Sequence, residues 1–241
     1  FQIIESKDRQ DTIEFMNLTE FVDLIVPRGG KGLIQTLVDN SKVPFILDGD
    51  GNVHLYIHED AKKENIIDIV INSKVQRPGV CNALETLLIN SEIYQDMGSQ
   101  IIEELLENGV ELFVDAKIKE DYPNLNLANN LHYETEFLEL KLAVKLVEND
   151  SQAIEHIKNY SSGHTDAILT ESKEVADNFA KSIDSSVIFI NSSTRFTDGE
   201  MFGFGSEIGI STQKLHVRGP MGLEALTNER YVVTGEGTVR K

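Results

Sequence analysis

The chain contains one cysteine, Cys81, and its sequence surroundings favour chemistry over packing. It follows Arg77, Pro78 and Gly79 and precedes Asn82, whereas a structural cysteine is usually a small buried hydrophobe. Nearby positive charge and a helix N-terminus both favour the thiolate, which is the nucleophilic form of the side chain. We therefore interpret Cys81 as a candidate nucleophile, with a buried structural thiol as the alternative.

Three short stretches place basic residues beside glycines or hydroxyls in a chain whose formal net charge is −18. They are Arg28-Gly29-Gly30-Lys31, Gln76-Arg77-Pro78-Gly79 and Ser192-Ser193-Thr194-Arg195. Glycine lets backbone N–H groups approach an anion, and arginine adds a charged fork. Each stretch is a candidate anion-binding loop, and the alternative is that these loops only cap helices. The first favours a cofactor phosphate, although it lacks the G-x-G-x-x-G pattern.

The histidines give a weaker signal. His54 and His58 are four positions apart in a predicted strand, and no cysteine or third histidine keeps their spacing, so they indicate packing rather than a metal site. His216 lies beside Lys214 and Arg218 and is better explained as a loop residue. The sequence therefore predicts no metal.

Alternating apolar segments predict the α/β framework that positions these residues. Strands at 22–26 and 43–47, with a helix between them that follows the turn at 27–32, form a βαβ unit and imply a parallel sheet. Further strands are predicted at 53–57, 86–89, 143–147, 167–170 and 187–190. Further helices are predicted at 64–74, 93–106, 152–159 and 174–183, where apolar residues recur at helical spacing.

Three segments depart from this alternation. The polar segment 115–136 contains Pro123 and is predicted to be an irregular excursion. The segment from Asn191 onward is a long loop rich in small residues, and such loops are usually functional or disordered. The tail from Tyr231 alternates weakly in hydrophobicity and is predicted to form a terminal strand.

The bulk composition narrows the class of protein. At 241 residues the chain can bury a full-sized core, and its acidity disfavours nucleic acid and anionic membranes as partners. One cysteine excludes an intrachain disulfide and fits a reducing cytoplasm. No apolar stretch approaches the length of a membrane span, and no secretory leader is present. Because the chain opens at Phe1 and reads like the interior of a domain, we expect a fragment or a processed chain.

Four longer runs carry a resemblance to a known family. They begin at Ile25, Gln76, Ser193 and Phe202 and read IVPRGGKGL, QRPGVCNALETLL, STRFTDG and FGFGSEIGISTQKLHVRGPMGL. On these runs the chain resembles the γ-glutamyl phosphate reductases, the glutamate-5-semialdehyde dehydrogenases of proline biosynthesis, which are members of the aldehyde dehydrogenase superfamily. The similarity extends across the chain and covers the later, catalytic part of the family's sequence.

The resemblance implies an aldehyde-dehydrogenase-like α/β fold, a parallel sheet with flanking helices, in which the N-terminal half of the cofactor domain is absent from this chain. It implies that residues 1–50 end the NADP-binding domain and that residues 51–190 form the catalytic domain. Residues 191–241 would return to the cofactor domain and end in an oligomerisation strand. A homo-oligomer is expected, glutamate 5-kinase is a candidate partner, and neither nucleic acid nor a membrane is expected to bind.

The resemblance also implies a mechanism. Cys81 would attack L-glutamate 5-phosphate to give a thioester, which NADPH would reduce to glutamate 5-semialdehyde, and the Cys81 N–H would be an oxyanion donor. Gly29 and Gly30 would lie near the cofactor pyrophosphate, and Glu136 would hold the nicotinamide ribose. The candidates for the carboxylate and phosphate of the substrate are Arg77, Ser193, Thr194 and Arg195.

Two departures from the family and superfamily patterns accompany this match. The turn at 47–51 has no glutamate where the superfamily carries the base that hydrolyses the thioester, and this suits a reductive enzyme. Gly79 and Val80 replace a hydroxyl-containing pair before the cysteine. Two alternatives stay open: a related reductase of another acyl phosphate or acyl thioester, or a truncated chain without catalytic activity. Activity of the 241 residues alone is not expected from the resemblance.

Overall fold

The structure, a computed structural model, describes residues 2–241. In this part of the chain strands and helices alternate. The strands are β1 (Val53–Ile57), β2 (Leu84–Asn90), β3 (Glu111–Val114), β4 (Asn126–Leu127), β5 (Lys141–Val147), β6 (Thr165–Leu169), β7 (Val187–Ile190), β8 (Gly209–Ser211) and β9 (Gly219–Met221). The helices are α1 (Arg9–Phe15), α2 (Lys31–Asn40), α3 (Lys63–Val75), α4 (Ser91–Glu107), α5 (Ala116–Asp121), α6 (Asn130–Glu134), α7 (Asp150–Tyr160) and α8 (Lys173–Ser182), and two 3-10 turns lie at Thr194–Phe196 and Glu224–Leu226.

Within residues 2–241, seven strands form one sheet in the order β4-β3-β5-β2-β1-β6-β7. Every neighbouring pair in it is parallel. Parallel strands need crossover segments that cover both faces of the sheet, so their central strands are apolar throughout. All residues of β1 and β2 are buried accordingly. The predicted parallel sheet with flanking helices is confirmed, while β8 and β9 form a separate antiparallel pair.

The two faces of the sheet are covered by different helices. Successive side chains of a strand point to opposite faces, and β1 shows the consequence. Its residues Leu55 and Ile57 belong to a core cluster with side chains of α3 and α4. Tyr56, between them, belongs to a second cluster with side chains of α7 and α8. The sheet thus separates two hydrophobic cores, one on each face. Packing on both faces holds the loops at its edges in fixed positions.

The predicted βαβ unit at the start of the chain is formed only in part. The helix is present as α2, but the predicted strands at 22–26 and 43–47 meet in a single isolated parallel bridge, Ile25 with Phe45. A bridge of one residue pair is too short to be a strand, so the prediction of two full strands is wrong. The parallel direction of the pairing was predicted correctly.

Two further predictions of local structure are wrong. The segment 115–136, predicted to be irregular, contains α5, β4 and α6. Both helices begin at polar caps: the Asp115 side chain accepts the N–H of Ile118, and Asn129 forms a capping box with His132. The tail after Tyr231 contains no strand in the described residues and is exposed. A single edge strand needs a partner strand, which the tail does not find within one copy of the chain, and the oligomerisation strand that the resemblance implies stays a prediction.

Two predictions concern the chain as a whole. The strands of the large sheet fall between Val53 and Ile190, and the domain boundaries at 50 and 190 stay predictions. Of the helices in residues 2–241, none combines the length and the apolar content that a bilayer crossing requires.

The buried histidines at or beside the sheet include His54, His156 and His164. The His156 ring lies 5.5 Å from that of His54, 4.8 Å from that of Tyr133 and 4.6 Å from that of Tyr160, measured between centroids. Burial lowers the pKa of His54 and of His164 to about 4. Burial, aided by nearby positive charge, lowers the pKa of His156 to about 2. These side chains are therefore neutral in the folded protein near neutral pH.

We expect these histidines to make the free energy of unfolding fall as the pH drops from 6.5 towards 4. The unfolded chain binds protons below the ordinary histidine pKa of 6.5, while the folded chain does not. Each histidine contributes a slope of about 1.4 kcal/mol per pH unit in this range. His156→Phe keeps an aromatic ring, removes one titrating group and should flatten the slope by that amount.

Urea unfolding of both proteins at pH values between about 7.5 and 5 measures the difference in slope. Asp166, whose pKa burial raises to about 7, acts in the opposite direction and cancels when the two proteins are compared. Equal slopes in wild type and variant would contradict the assignment to His156.

Candidate active site

Cys81 lies in residues 76–83, here called the cysteine loop, which joins α3 to β2. The loop lies at the amino edge of the sheet, because it precedes β2 and the strands are parallel. The side chain is partly buried. The element that follows is the strand β2, which contains the strand predicted at 86–89, so no helix N-terminus adjoins the thiol. The thiol depends on other segments for its electrostatic environment.

On one side the cysteine loop packs against the segment after β7. The Thr194 hydroxyl donates to the backbone oxygen of Asn82 at 2.8 Å, and the Asn82 side chain donates to the backbone oxygen of Thr197 at 2.8 Å. The Ser73 hydroxyl donates to that of Ser193 at 3.2 Å. Ser193 and Thr194 are buried, and their hydroxyls bond within the protein. They hold the loop in place, and their contact with the substrate stays a prediction.

On its other side the cysteine loop touches the turn that precedes β1. A Cβ atom placed on Gly51 would lie 1.7 Å from the carbonyl oxygen of Cys81, so the two backbones are in direct contact. The Gly51 N–H donates to Oε1 of Glu136 at 2.6 Å. Glu136 therefore lies beside the backbone that carries the thiol. Its contact with a nicotinamide ribose stays a prediction.

Three carboxylates act on the thiol from segments that are far apart in sequence. Burial, followed by the negative charges of Asp48, Glu207 and Glu136, raises the pKa of Cys81 from 9.0 to about 12. The backbone of Cys81 itself acts in the opposite direction. In the free protein the thiol is thus protonated near neutral pH. The expectation that its surroundings favour the thiolate is wrong for this state.

Two arginines bring positive charge to the same site. The Arg195 Nε donates to Oε1 of Gln76 at 2.8 Å, which ties this guanidinium to the start of the cysteine loop. Burial, together with the charge of Arg77, lowers the pKa of Arg195, while the charges of Cys81 and Asp198 act in the opposite direction. Arg77, Arg195 and the thiol therefore share one electrostatic environment. The structure brings these three predicted site residues together.

Gly29 and Gly30 line a cleft of about 730 Å³ beside the turn at 48–51. Gly30 caps the start of α2 and provides no side chain, and a Cβ placed on it would meet nothing within 4 Å. The turn that borders this cleft ends at Gly51, which touches Cys81. The turn at 48–51 thus borders the candidate phosphate turn at one end and touches the candidate nucleophile at the other.

Sequence reasoning missed several residues of this site. Glu207 lies in one of the family-like runs but was not predicted as a site residue. Asp48 lies in the turn that was noted only for lacking the glutamate of the superfamily. Lys74 and Glu85 form a fully buried ion pair, with Nζ 2.8 Å from Oε2. A glutamate inside the apolar strand at 84–90 was the available signal for this pair, since unpaired charges are rarely buried.

The structure gives no new support for a metal. Within residues 2–241, no group of three or more histidine, cysteine, aspartate or glutamate side chains is arranged to hold an ion. His58 instead bonds Asp60, with Nδ1 2.6 Å from Oδ1, at the opposite edge of the sheet from Cys81.

We expect iodoacetamide to alkylate Cys81 slowly at neutral pH, because only the thiolate reacts and the pKa of the thiol is raised. The rate should rise about tenfold per pH unit up to about pH 10. Glu207→Gln removes one of the negative charges and should speed the reaction at a fixed pH. Glu171→Gln, an exposed position beyond β6 at the far edge of the sheet, is the matched control and should leave the rate unchanged. A rate plateau near pH 9 would contradict this prediction.

Comparison with known proteins identifies the relatives of this arrangement. No protein-family model matches the chain. The γ-glutamyl phosphate reductase of Thermoanaerobacter pseudethanolicus is 49% identical over 240 residues, which cover 100% of this chain and 58% of the relative. The γ-glutamyl phosphate reductase of Bacillus mycoides is 48% identical with the same coverage. The chain thus spans a little over half the length of the curated relatives that it matches.

Solved structures agree. The crystal structure of γ-glutamyl phosphate reductase from Thermotoga maritima matches with a TM-score of 0.94 and 46% identity, over 99% of this chain and 57% of that one. An acetylating aldehyde dehydrogenase from Geobacillus thermoglucosidasius matches with a TM-score of 0.71 and 18% identity, over 97% of this chain and 61% of that one, and shares the fold. The predicted resemblance and the aldehyde-dehydrogenase-like fold are confirmed.

Proposed function

The chain belongs to the γ-glutamyl phosphate reductase family, and we propose that the protein reduces L-glutamate 5-phosphate to L-glutamate 5-semialdehyde and phosphate in proline biosynthesis. NADPH is the proposed reductant. One observation supports the proposal most directly: the run shared with these reductases forms a loop whose thiol interacts electrostatically with Arg195, and Arg195 also feels the charge of Arg77. In this proposal Cys81 is the nucleophile.

The covalent step follows from the position of the thiol. The sulfur attacks the acyl carbon of the substrate, the C–S bond forms, and the bond from that carbon to the phosphate oxygen breaks. The thiol proton passes to a neighbouring carboxylate, of which Glu207 and Glu136 are the candidates. The Cys81 N–H is the proposed donor to the oxyanion.

The arginines have two roles in this step. Arg77 and Arg195 would neutralise the phosphate and the carboxylate of the substrate, since arginine binds such groups through a planar fork of donors. Their positive charge would also oppose the carboxylates that hold the thiol protonated. We infer that the thiol gives up its proton during its attack on the bound substrate, and that the protonated thiol is protected from unwanted reactions in the free protein.

The residues present fit a nicotinamide dinucleotide. Gly30 begins α2 without a side-chain cap and faces open space, so the first backbone N–H groups of this helix can approach a phosphate. Gly29 and Gly30 would hold the pyrophosphate, and Glu136 would hold the nicotinamide ribose. When bound, the nicotinamide supplies the hydride that converts the acyl group to the aldehyde.

The turn at 47–51 supports reduction rather than hydrolysis. Its first carboxylate, Asp48, accepts the N–H of Ile210 at 2.9 Å through Oδ1 and pairs with Arg28 through Oδ2. A carboxylate with both oxygens engaged is poorly placed to activate a water molecule. We propose that this arrangement preserves the thioester until hydride transfer.

The proposed reaction is tested in reverse on the intact protein, as the phosphate-dependent formation of NADPH from glutamate 5-semialdehyde and NADP⁺. Mass spectrometry of quenched turnover should find the acyl group on the peptide that contains Cys81. Turnover of a different acyl phosphate or acyl thioester, with none of this substrate, would favour a related reductase. Titration of the 241-residue chain with NADPH tests whether this part binds the cofactor by itself.

The remaining parts of the proposal concern the surroundings of the protein. The high acidity and the single cysteine suit a cytoplasmic enzyme. The exposed apolar tail, with Tyr231, Val232 and Val233 among its residues, suits a homo-oligomer. Glutamate 5-kinase is proposed as a partner because it would supply an unstable acyl phosphate. Sedimentation of the protein alone and mixed with the kinase tests both associations.

A further inference from the structure

The two ends of the cysteine loop are joined by an ion pair. Lys74 lies in the last turn of α3 and Glu85 is the second residue of β2. Their side chains are fully buried, with Lys74 Nζ 2.8 Å from Glu85 Oε2. The pair therefore closes the base of the loop that carries Cys81 at its centre.

The second oxygen of Glu85 reaches another segment of the site. Oε1 accepts the N–H of Leu138 at 3.1 Å. Leu138 has a φ of 55°, in the left-handed region that a leucine rarely adopts. Its carbonyl oxygen lies 3.5 Å from the position that a Cβ on Gly79 would occupy. Leu138 is thus held between the carboxylate of Glu85 and the backbone of the cysteine loop.

This anchored backbone leads directly to Glu136, two residues earlier. Glu136 accepts the N–H of Gly51, and Gly51 touches the backbone of Cys81. A continuous series of contacts therefore runs from Glu85 through Leu138, Glu136 and Gly51 to Cys81. These contacts connect the Glu85 side chain to the segment that carries the Glu136 carboxylate and to the backbone of Cys81.

Stability alone gives little reason to keep such a pair. Burying two charges costs solvation energy that their attraction barely repays, and apolar replacements of buried pairs are often neutral. Burial lowers the pKa of Lys74, and burial raises the pKa of Glu85 to about 7, while the charge of each partner opposes the shift of the other. Some buried ionic groups specify one arrangement of a protein rather than stabilise it.

We propose that Lys74 and Glu85 are positioning residues that set the geometry between the Cys81 thiol and the Glu136 carboxylate. Lys74 holds the Glu85 carboxylate in the one orientation that reaches the Leu138 amide. Neither side chain contacts the substrate. This inference rests on the proposed function, since it assigns a role relative to the acylation of Cys81.

The main test is the double variant Lys74→Met/Glu85→Gln in the intact protein. It removes both charges together, so no unpaired charge is left in the core, and we expect its melting temperature to stay near that of the wild type. The rate constant for acylation of Cys81, normalised to the number of active sites by burst amplitude, should fall about 100-fold, as expected for a misplacement of about 1 Å. A purely structural role would change the amplitude and leave this rate constant unchanged.

Two more variants complete the design. Glu85→Asp keeps the charge but shortens the reach to Leu138, so it should also lower the rate constant, and it decides the question if the double variant does not fold. Phe179→Leu, in the core cluster on the opposite face of the sheet, is the control for a loss of packing and should leave the rate constant unchanged. Wild-type rate constants in the folded Lys74 and Glu85 variants would overturn the inference. A wild-type protein that never forms an acyl adduct would instead overturn the proposed function.

Discussion

Cys81→Ser should lower the rate of glutamate 5-semialdehyde oxidation by about 10⁴-fold or more, the range seen when a catalytic nucleophile is removed. The serine hydroxyl ionises far less readily than a thiol, and the oxygen ester that it would form accepts hydride poorly. Since the substitution replaces sulfur with oxygen at a partly buried position, the free energy of unfolding should change by less than about 1 kcal/mol.

Stopped-flow measurement of NADPH formation, with NADP⁺ affinity and urea unfolding followed in parallel, gives the three quantities needed. Loss of turnover with unchanged cofactor affinity and stability supports nucleophilic catalysis by Cys81. A serine variant that keeps even a tenth or so of the wild-type rate would exclude the thioester route through Cys81.

Gly51→Ala should destabilise the protein by more than about 4 kcal/mol, or displace the cysteine loop at a similar cost. The added Cβ would lie 1.7 Å from the Cys81 carbonyl oxygen and 2.3 Å from its carbonyl carbon. Both atoms belong to the backbone, so no side chain can rotate to relieve the overlap. If the chain still folds, the loop must move and the rate of acylation should fall with it.

Gly32→Ala is the matched control for Gly51→Ala. Gly32 lies within α2, and a Cβ placed there would meet nothing within 4 Å. Alanine is a better helix former than glycine, so this change should stabilise the protein by up to about 1 kcal/mol. Urea unfolding of the two variants measures both effects. A Gly51 variant as stable and as active as the wild type would show that the two backbones are not in contact.

The regular part of the fold was largely predictable. Strands such as β1 and β7 and helices such as α4 and α8 could be predicted because their apolar residues follow a pattern within one continuous segment. Burial against the sheet requires those positions to be apolar. Where pairing depends on a distant partner, the prediction was wrong. The apolar segments around Ile25 and Phe45 meet in one bridge, and the alternating tail stays unpaired.

The short helices α5 and α6 were not predicted, for a different reason. The segment 115–136 is polar and contains a proline, so its composition indicates a loop, yet α5 and α6 form there behind the caps Asp115 and Asn129. Helices of five or six residues have too little apolar periodicity to be recognised by pattern. The capping residues Asp115 and Asn129 were the only sequence signal for these two helices.

For the site, too, some features could be predicted from local sequence, whereas others depend on residues far apart in the chain. Cys81, Arg77 and Arg195 could be identified from local sequence and from the family-like runs, and the structure brings them together. The protonation state of the thiol could not, because the carboxylates that raise its pKa come from positions 48, 136 and 207. The charged residues that shortly precede Cys81, Lys74 and Arg77, are basic, and the local sequence therefore predicted the opposite electrostatic effect.

The polarity of the sheet has a practical consequence for handling this protein. The cysteine loop, the turn before β1 and the segment before β5 all approach the sheet at one edge, while α4, α7 and α8 begin at the other. A strand of five residues separates the two edges by about 17 Å. Attachment to a sensor surface through the far rim, for example at exposed Glu171, would leave the thiol and its surroundings open to solution.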